Sequence, residues 1–298
     1  MTVTLMGLET PAGFRHLDPP SKACTIEELN KDNETEVLDF LAQRPLHTVF
    51  MASQIRDNGM VSPHNRGSFY GARDSYGELE GVALLGHASL IETRTERSVC
   101  EFARLARNCQ DTHLIRGERD RVTAFWKYYA RHGQEPRLVR REQLLHLNEP
   151  APAFETVDLR LASTKDLQRV LSVNASMALD EGGISPLQKD PSGFRQRTAR
   201  RIEQGRIWVW VQNGRLTFKA DVVGSTSEVA YLEAVHVHPE ERRKGYGLRC
   251  LSQLSSILLA GSQVVCLTVN EANSKVAALY QKAGYQFHSD YETIYLHE

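Results

Sequence analysis

Long hydrophobic runs are missing from this 298-residue chain. Nothing approaches the roughly 20 apolar residues that cross a bilayer. Met1 to Cys24 lacks the basic start and apolar stretch of a signal peptide. The expectations are no membrane partner and a cytoplasmic location. Charge of one sign is missing too, since 36 Lys and Arg stand against 37 Asp and Glu, a formal net charge of −1. A general nucleic-acid binder needs surplus cations to displace counterions, so no nucleic-acid partner is expected. The Arg-rich stretches Arg137 to Arg141 and Arg195 to Arg201 read as solvated faces. Cysteine is scarce, with Cys24, Cys100, Cys109, Cys250 and Cys266 odd in number and at no metal-ligand spacing. Cys250 and Cys266 lie in apolar patterns and read as buried thiols. His236 and His238 share a strand face, but no third ligand lies at a nearby spacing, so no metal is expected.

What remains is the balance of a globular protein, 41% hydrophobic and 24% charged, in a chain long enough for two domains. Residues 1–24, with Pro11, Gly13, Pro19 and Pro20, read as an irregular lead-in. Helical spacing covers 36–43 and 48–56, then 68–73 and 79–85 read as a hairpin around Tyr76-Gly77. Helix 98–107, strand 112–115, helix 119–132 and strand 138–147 complete the first half. The polar stretch 148–152, with two prolines, reads as a linker. The second half reads as strand 156–161, helix 165–178, loop 179–191 and helix 194–204. A hairpin around Asn213-Gly214 follows, with strands 207–211 and 216–223. Strand 229–237, helix 247–260, strand 264–269, helix 274–283 and two closing strands finish the chain. The fold class expected is a mixed α/β sheet, with a first domain at 25–150 and a second at 151–298. Tyr129 precedes Gly133 as Tyr280 precedes Gly284, each after a strand and a helix, which suggests an internal duplication.

The chemistry concentrates between Leu232 and Leu258, where a strand, a turn (Pro239-Glu-Glu-Arg-Arg-Lys-Gly-Tyr-Gly247) and a helix follow one another. Two glycines let the backbone curl so that successive amides converge, with no Cβ against an approaching ligand. The helix start adds unpaired amides and partial positive charge. Arg242, Arg243 and Lys244 add full charges, and together these suit a pyrophosphate. The alternative is an ordinary strand-to-helix turn. Leu248, Leu251, Leu254 and Leu258 on one helix face would pack the helix on the sheet and fix the loop.

Arg242-x-x-Gly245-x-Gly247 after Val235-His-Val-His-Pro239 resembles the acetyl-CoA-binding signature of the GNAT acetyltransferase superfamily. Asn273, Val276-Ala277, Leu279-Tyr280 and Gly284-Tyr285 resemble the family's second signature, with Val276 where alanine is common. The resemblance covers roughly 155–298. It implies two tandem GNAT-like domains, each a mostly antiparallel central sheet flanked by helices. It implies a strand splayed to admit the pantetheine arm, with main-chain groups of Val235 and Val237 on that arm and amides from Arg243 to Leu248 on the pyrophosphate. His236 and Tyr246 lie in the same signature, Asn273 near the arm, and Tyr280 close to the thioester sulfur. The first half's counterpart, Leu90 to Ser98, contains no glycine, so that half resembles a GNAT domain without its cofactor loop.

A lysine-like amine, pKa about 10.4, must lose a proton before it attacks. Glu233 is the first candidate base, with Tyr231 assisting through water; a cross-strand charge is the alternative. Tyr280 is the candidate donor to the departing thiolate. Asp180 and Glu181, in the expected acceptor-side loop, suit a cationic amine. The function expected is an acetyl-CoA-dependent N-acetyltransferase acting on a small-molecule or peptide amine, with a homodimer left open. A non-catalytic acyl-CoA-binding or interaction module is the alternative. A nucleotide-phosphate binder is weaker, because the loop lacks P-loop spacing and a third Rossmann glycine.

Overall fold

A computed structural model describes residues 24–109, 111–149 and 155–297. The lead-in expected at 1–24 lies almost wholly outside them, as do 150–152 of the expected linker. In chain order the elements are β1 (Thr25–Glu28), α1 (Glu34–Ala42), α2 (Pro45–Asn58), β2 (Gly67–Arg73), β3 (Leu79–Gly86) and β4 (Ala88–Thr93). Then come α3 (Glu96–Ala106), β5 (Leu114–Glu118), α4 (Arg119–Tyr129) and β6 (Leu138–Leu147). The second half holds β7 (Arg160–Leu161), α5 (Leu167–Gly182), α6 (Pro186–Lys189), α7 (Pro191–Glu203), β8 (Ile207–Gln212) and β9 (Arg215–Ser225). It ends with β10 (Val229–Val237), α8 (Tyr246–Leu259), β11 (Val264–Asn270), α9 (Ser274–Lys282) and β12 (Gln286–Tyr295).

All twelve strands join one sheet in the order β1-β2-β3-β4-β5-β12-β6-β11-β10-β9-β8-β7. Pairing is antiparallel except for β4 on β5 and β10 on β11. The order reads the same from either end when β1–β6 exchange labels with β7–β12, so a pseudo-twofold relates the halves. Each half has given its last strand to the other. β12 lies between β5 and β6, and β6 pairs along its whole length with β12 and over Glu142–Leu147 with β11. The halves therefore share one continuous sheet.

Local chemistry explains most elements. Asn213 and Gly214 both take positive φ, 51° and 76°, as the tight β8–β9 hairpin requires. Pro45 stands at the start of α2, where its missing amide costs nothing. α8 buries Cys250, Leu251 and Leu254 against β9, β10 and β11 in the core of the second half. No helix among the described residues is long and apolar enough to cross a membrane.

Three expectations need correction. The strand expected at 156–161 shrinks to Arg160–Leu161, because Gln253 of α8 takes the amide of Val157 at 2.9 Å and its carbonyl at 3.2 Å in place of a strand partner. The two closing strands are one, β12, since β5 and β6 flank it on both sides and leave no room for a return strand. Leu179 to Gly182 is not loop but the last turn of α5, which Gly183 ends in the left-handed conformation (φ 73°).

Candidate active site

β10 and β11 pair in register from Val229–Val264 to Leu232–Leu267 and then part. The parting follows from β10 itself. Its register against β9 shifts between Glu233 and His236, and Ala234 sits at φ 50°, so the strand bulges and turns from β11. Val235 and Val237 lie beyond the last β10–β11 pair, on the part of β10 that has left β11. The Val237 carbonyl accepts from Arg242 Nε at 3.1 Å.

The chain leaves β10 through a short 3-10 turn, Pro239–Glu241, capped where His238 Nδ1 accepts from the Glu240 amide at 3.3 Å. Arg243 at φ 66° and Gly245 at φ 83° then reverse the backbone into α8. Among the described residues the amides of 243–248 find no backbone acceptor, and the first amide bonded back is that of Arg249, to the Gly245 carbonyl at 3.2 Å. At Gly245 a side chain would meet nothing within 4 Å, so the loop's outer side is open. At Gly247 an added Cβ would lie 3.2 Å from Val237 Cγ2 and 3.4 Å from Leu279 Cδ2, so the glycine lets α8 close on β10 and α9. Lys244 pairs with Glu241 at 2.8 Å, and Tyr246 packs edge-on against Trp210, ring centroids 4.9 Å apart. Amides without a backbone acceptor among the described residues thus stand at the mouth of a parted pair of strands, an arrangement that suits an anion.

Asn273 caps α9, its Oδ1 accepting from the Val276 amide at 3.3 Å. Tyr280, in the same helix, is 5% exposed, and burial followed by the charge of Glu181 raises its phenol well above the usual range. His236 faces Lys219 of β9, and burial with Arg242 nearby lowers its pKa to about 4. Among the described residues no three His, Cys, Asp or Glu side chains gather as a metal site.

The candidate base brings a residue that sequence reasoning missed. Arg116, on β5 of the first half, donates to Glu233 Oε1 at 2.5 Å, to Tyr231 Oη at 2.7 Å and to Thr268 Oγ1 at 2.7 Å. Glu142 of β6 stands 3.8 Å from Arg116 Nε and accepts from Thr293 Oγ1 at 2.8 Å. Burial disfavours the Glu233 anion, but the Arg116 guanidinium more than offsets this and holds the carboxyl below the usual range. Glu181, at the end of α5, lies 4.0 Å from Arg140. About half of its side chain is exposed, but crowding of the carboxyl by surrounding atoms and the Glu233 charge raise it, opposite in direction to Glu233. Asp180 is exposed and joins no part of this cluster. The structure thus gathers Tyr231, Glu233, Glu181 and Tyr280 with Arg116 and Glu142. No short-range pattern links residues more than a hundred positions apart, so only a charged residue inside a short strand hinted at Arg116.

In the first half β4 and β5 pair only at Ala88–Leu114 and Ser89–Ile115 and then also part. Thr95 starts α3 directly, its Oγ1 accepting from the Ser98 amide, with no glycine curl between. Arg121 donates to the Thr93 carbonyl and lies 3.6 Å from Glu92, which also receives Arg94 and Arg44. Arginine side chains thus converge on Glu92 and the Thr93 carbonyl at the end of β4.

A family model described as FR47-like protein, of GNAT type, matches residues 222–294. No curated protein matches the chain. Among solved structures, a GCN5-related N-acetyltransferase from Sphaerobacter thermophilus is similar at TM-score 0.57 and 14% identity, over 91% of this chain and 94% of that one. A tandem GNAT protein from the clavulanic acid biosynthesis pathway aligns at 0.58 and 15%, over 91% and 98%. A Drosophila protein aligns at 0.67 and 13%, over 91% and 98%. The chain has a GNAT-type fold, and its residues 222–294 match the FR47-like family model.

Proposed function

We propose that this chain is an acetyl-CoA-dependent N-acetyltransferase whose one working site lies in the second half. The observation that carries the reading is the parting of β10 from β11 directly ahead of the unpaired amides 243–248. That arrangement suits a long thiol arm ending in a pyrophosphate, and Arg242, Arg243 and Lys244 suit its charge. The donor supplies an activated acetyl group. A small-molecule or peptide amine is the acceptor, in the cytoplasm.

Roles follow from the charges. Glu233 is a poor base, because taking a proton would cost it the Arg116 ion pair. Glu181 has the raised carboxyl and the exposed position, so it takes the proton from the acceptor ammonium while Glu233 draws that cation in. Tyr280 stays protonated and donates a hydrogen bond to the departing sulfur. Full transfer from so weak an acid to a thiolate of pKa about 8.5 is uphill, so solvent delivers the final proton.

A non-catalytic acyl-CoA-binding module is the second reading, and the locked Glu233 favours it. Calorimetric titration of the whole protein with acetyl-CoA tests the common part, with saturable heat expected. A folded protein that gives none removes both readings. Thiol release across a panel of amines then separates enzyme from binder.

A further inference from the structure

The bulge that opens the slot is itself held by a buried charge. Lys219 on β9 is fully buried, an expensive place for an ammonium. Its Nζ lies 2.8 Å from Asp221 Oδ1 and donates to the carbonyl of Ala234 at 3.2 Å. Asp221, 1% exposed, is steadied by Asn174 of α5 at 3.5 Å and Arg201 of α7 at 3.8 Å. Ala234 is the non-glycine residue in β10 at positive φ. A β-carbon disfavours that conformation, so something must hold it. A buried ion pair is commonly no better for stability than an apolar pair of the same shape. Its geometry here serves a position instead, because the one backbone carbonyl it binds belongs to the residue where β10 leaves β11.

We propose that Lys219, fixed by Asp221, is a positioning residue that pins the Ala234 bulge and so keeps the donor slot between β10 and β11 open. The proposal rests on the donor-site reading above. Lys219 touches no substrate in it and acts through the main chain of 234–237. Without the pin, Ala234 relaxes to an extended conformation and β10 closes toward β11, against Val235 and Val237.

The test uses the full chain and two readouts. Lys219→Met with Asp221→Asn removes both charges and keeps the shapes. Calorimetry with acetyl-CoA is expected to show about tenfold weaker binding, the size of one left-handed penalty. Adding Ala234→Gly, which accepts positive φ unaided, should restore affinity to within about twofold of the natural protein. Should the charge-free protein not fold, Ala234→Val serves in its place, because it leaves the ion pair intact, penalises the same backbone and should weaken binding similarly. Hydrogen exchange at amides 234–238 without ligand should be faster in the Lys219→Met, Asp221→Asn protein and return with Ala234→Gly. Exchange reads the pin even if acetyl-CoA does not bind, so loss of the donor-site reading and loss of the pin are told apart. Unchanged exchange in the charge-free protein, or failure of Ala234→Gly to restore it, overturns the proposal. Donor affinity unaffected by Ala234→Val does the same for the link between bulge and slot.

Discussion

Glu181 and Glu233 are the same residue type, facing the same cleft, with opposite electrostatics. Glu233 has Arg116 at 2.5 Å and a lowered carboxyl. Glu181 has Arg140 at 4.0 Å, Arg116 further off, the Glu233 charge nearby and a raised carboxyl. A lowered folded pKa means that Glu233 contributes stability above the ordinary carboxylate range, lost as pH falls through the lowered value. A raised one means that Glu181 favours the folded state at acid pH, and that contribution is lost as pH rises through the raised value. At neutral pH, Glu181→Gln should leave the melting temperature unchanged or slightly higher, while Glu233→Gln lowers it. Activity should move differently. Glu181→Gln is expected to lower kcat by about a hundredfold or more, as for loss of a general base, and to abolish the acid limb of the rate profile. Calorimetric melting and pH–rate profiles on the two variants check both halves. An acid limb that survives in Glu181→Gln and disappears in Glu233→Gln returns the base role to Glu233.

At the scale of elements, the loop from Val237 to Leu248 was legible because its chemistry is local. A glycine that needs positive φ, a glycine that needs close packing and an apolar stripe on α8 all fall within one short stretch. The two glycines make different demands, so their variants should differ. Gly245→Ala adds a methyl in open space but strains φ 83°, about 1 kcal/mol and a roughly fivefold loss of acetyl-CoA affinity. Gly247→Ala drives a Cβ to 3.2 Å from Val237 Cγ2, so it should lift α8 from β10 and lower the melting temperature as well as affinity. Titration and melting on each protein separate strain from packing. The acceptor side was less legible. Leu179-Asp-Glu-Gly-Gly183 reads as a turn by composition, yet α5 runs to Gly182, and Arg137 Nη1 holds the Gly182 carbonyl at 2.7 Å. That stabilising contact comes from the first half, and no reading of the loop alone includes it.

The whole molecule is where sequence said least. Alternation identifies β6 and β12 as strands but is silent on which strands stand beside them, because partner choice depends on residues over a hundred positions away. The exchange has a consequence for the tandem arrangement. A second half cut free as residues 155–298 would lose β5 and β6, leaving β11 with a bare edge and β12 with no neighbour on either side, and would also lose Arg116 and Glu142 from its site. A first half of 24–149 would lose β12 from beside β5 in the same way. Neither fragment is expected to stay monomeric and folded on its own. Produced together, they should assemble one to one, since the sheet closes only when each supplies the other's missing strand. Size-exclusion chromatography and circular dichroism on the single and coexpressed fragments, followed by acetyl-CoA titration of the assembled pair, read this directly. A 155–298 fragment that is monomeric, folded and binds acetyl-CoA as tightly as the full chain shows that the strand exchange is dispensable, and that Arg116 reaches into a site already complete without it.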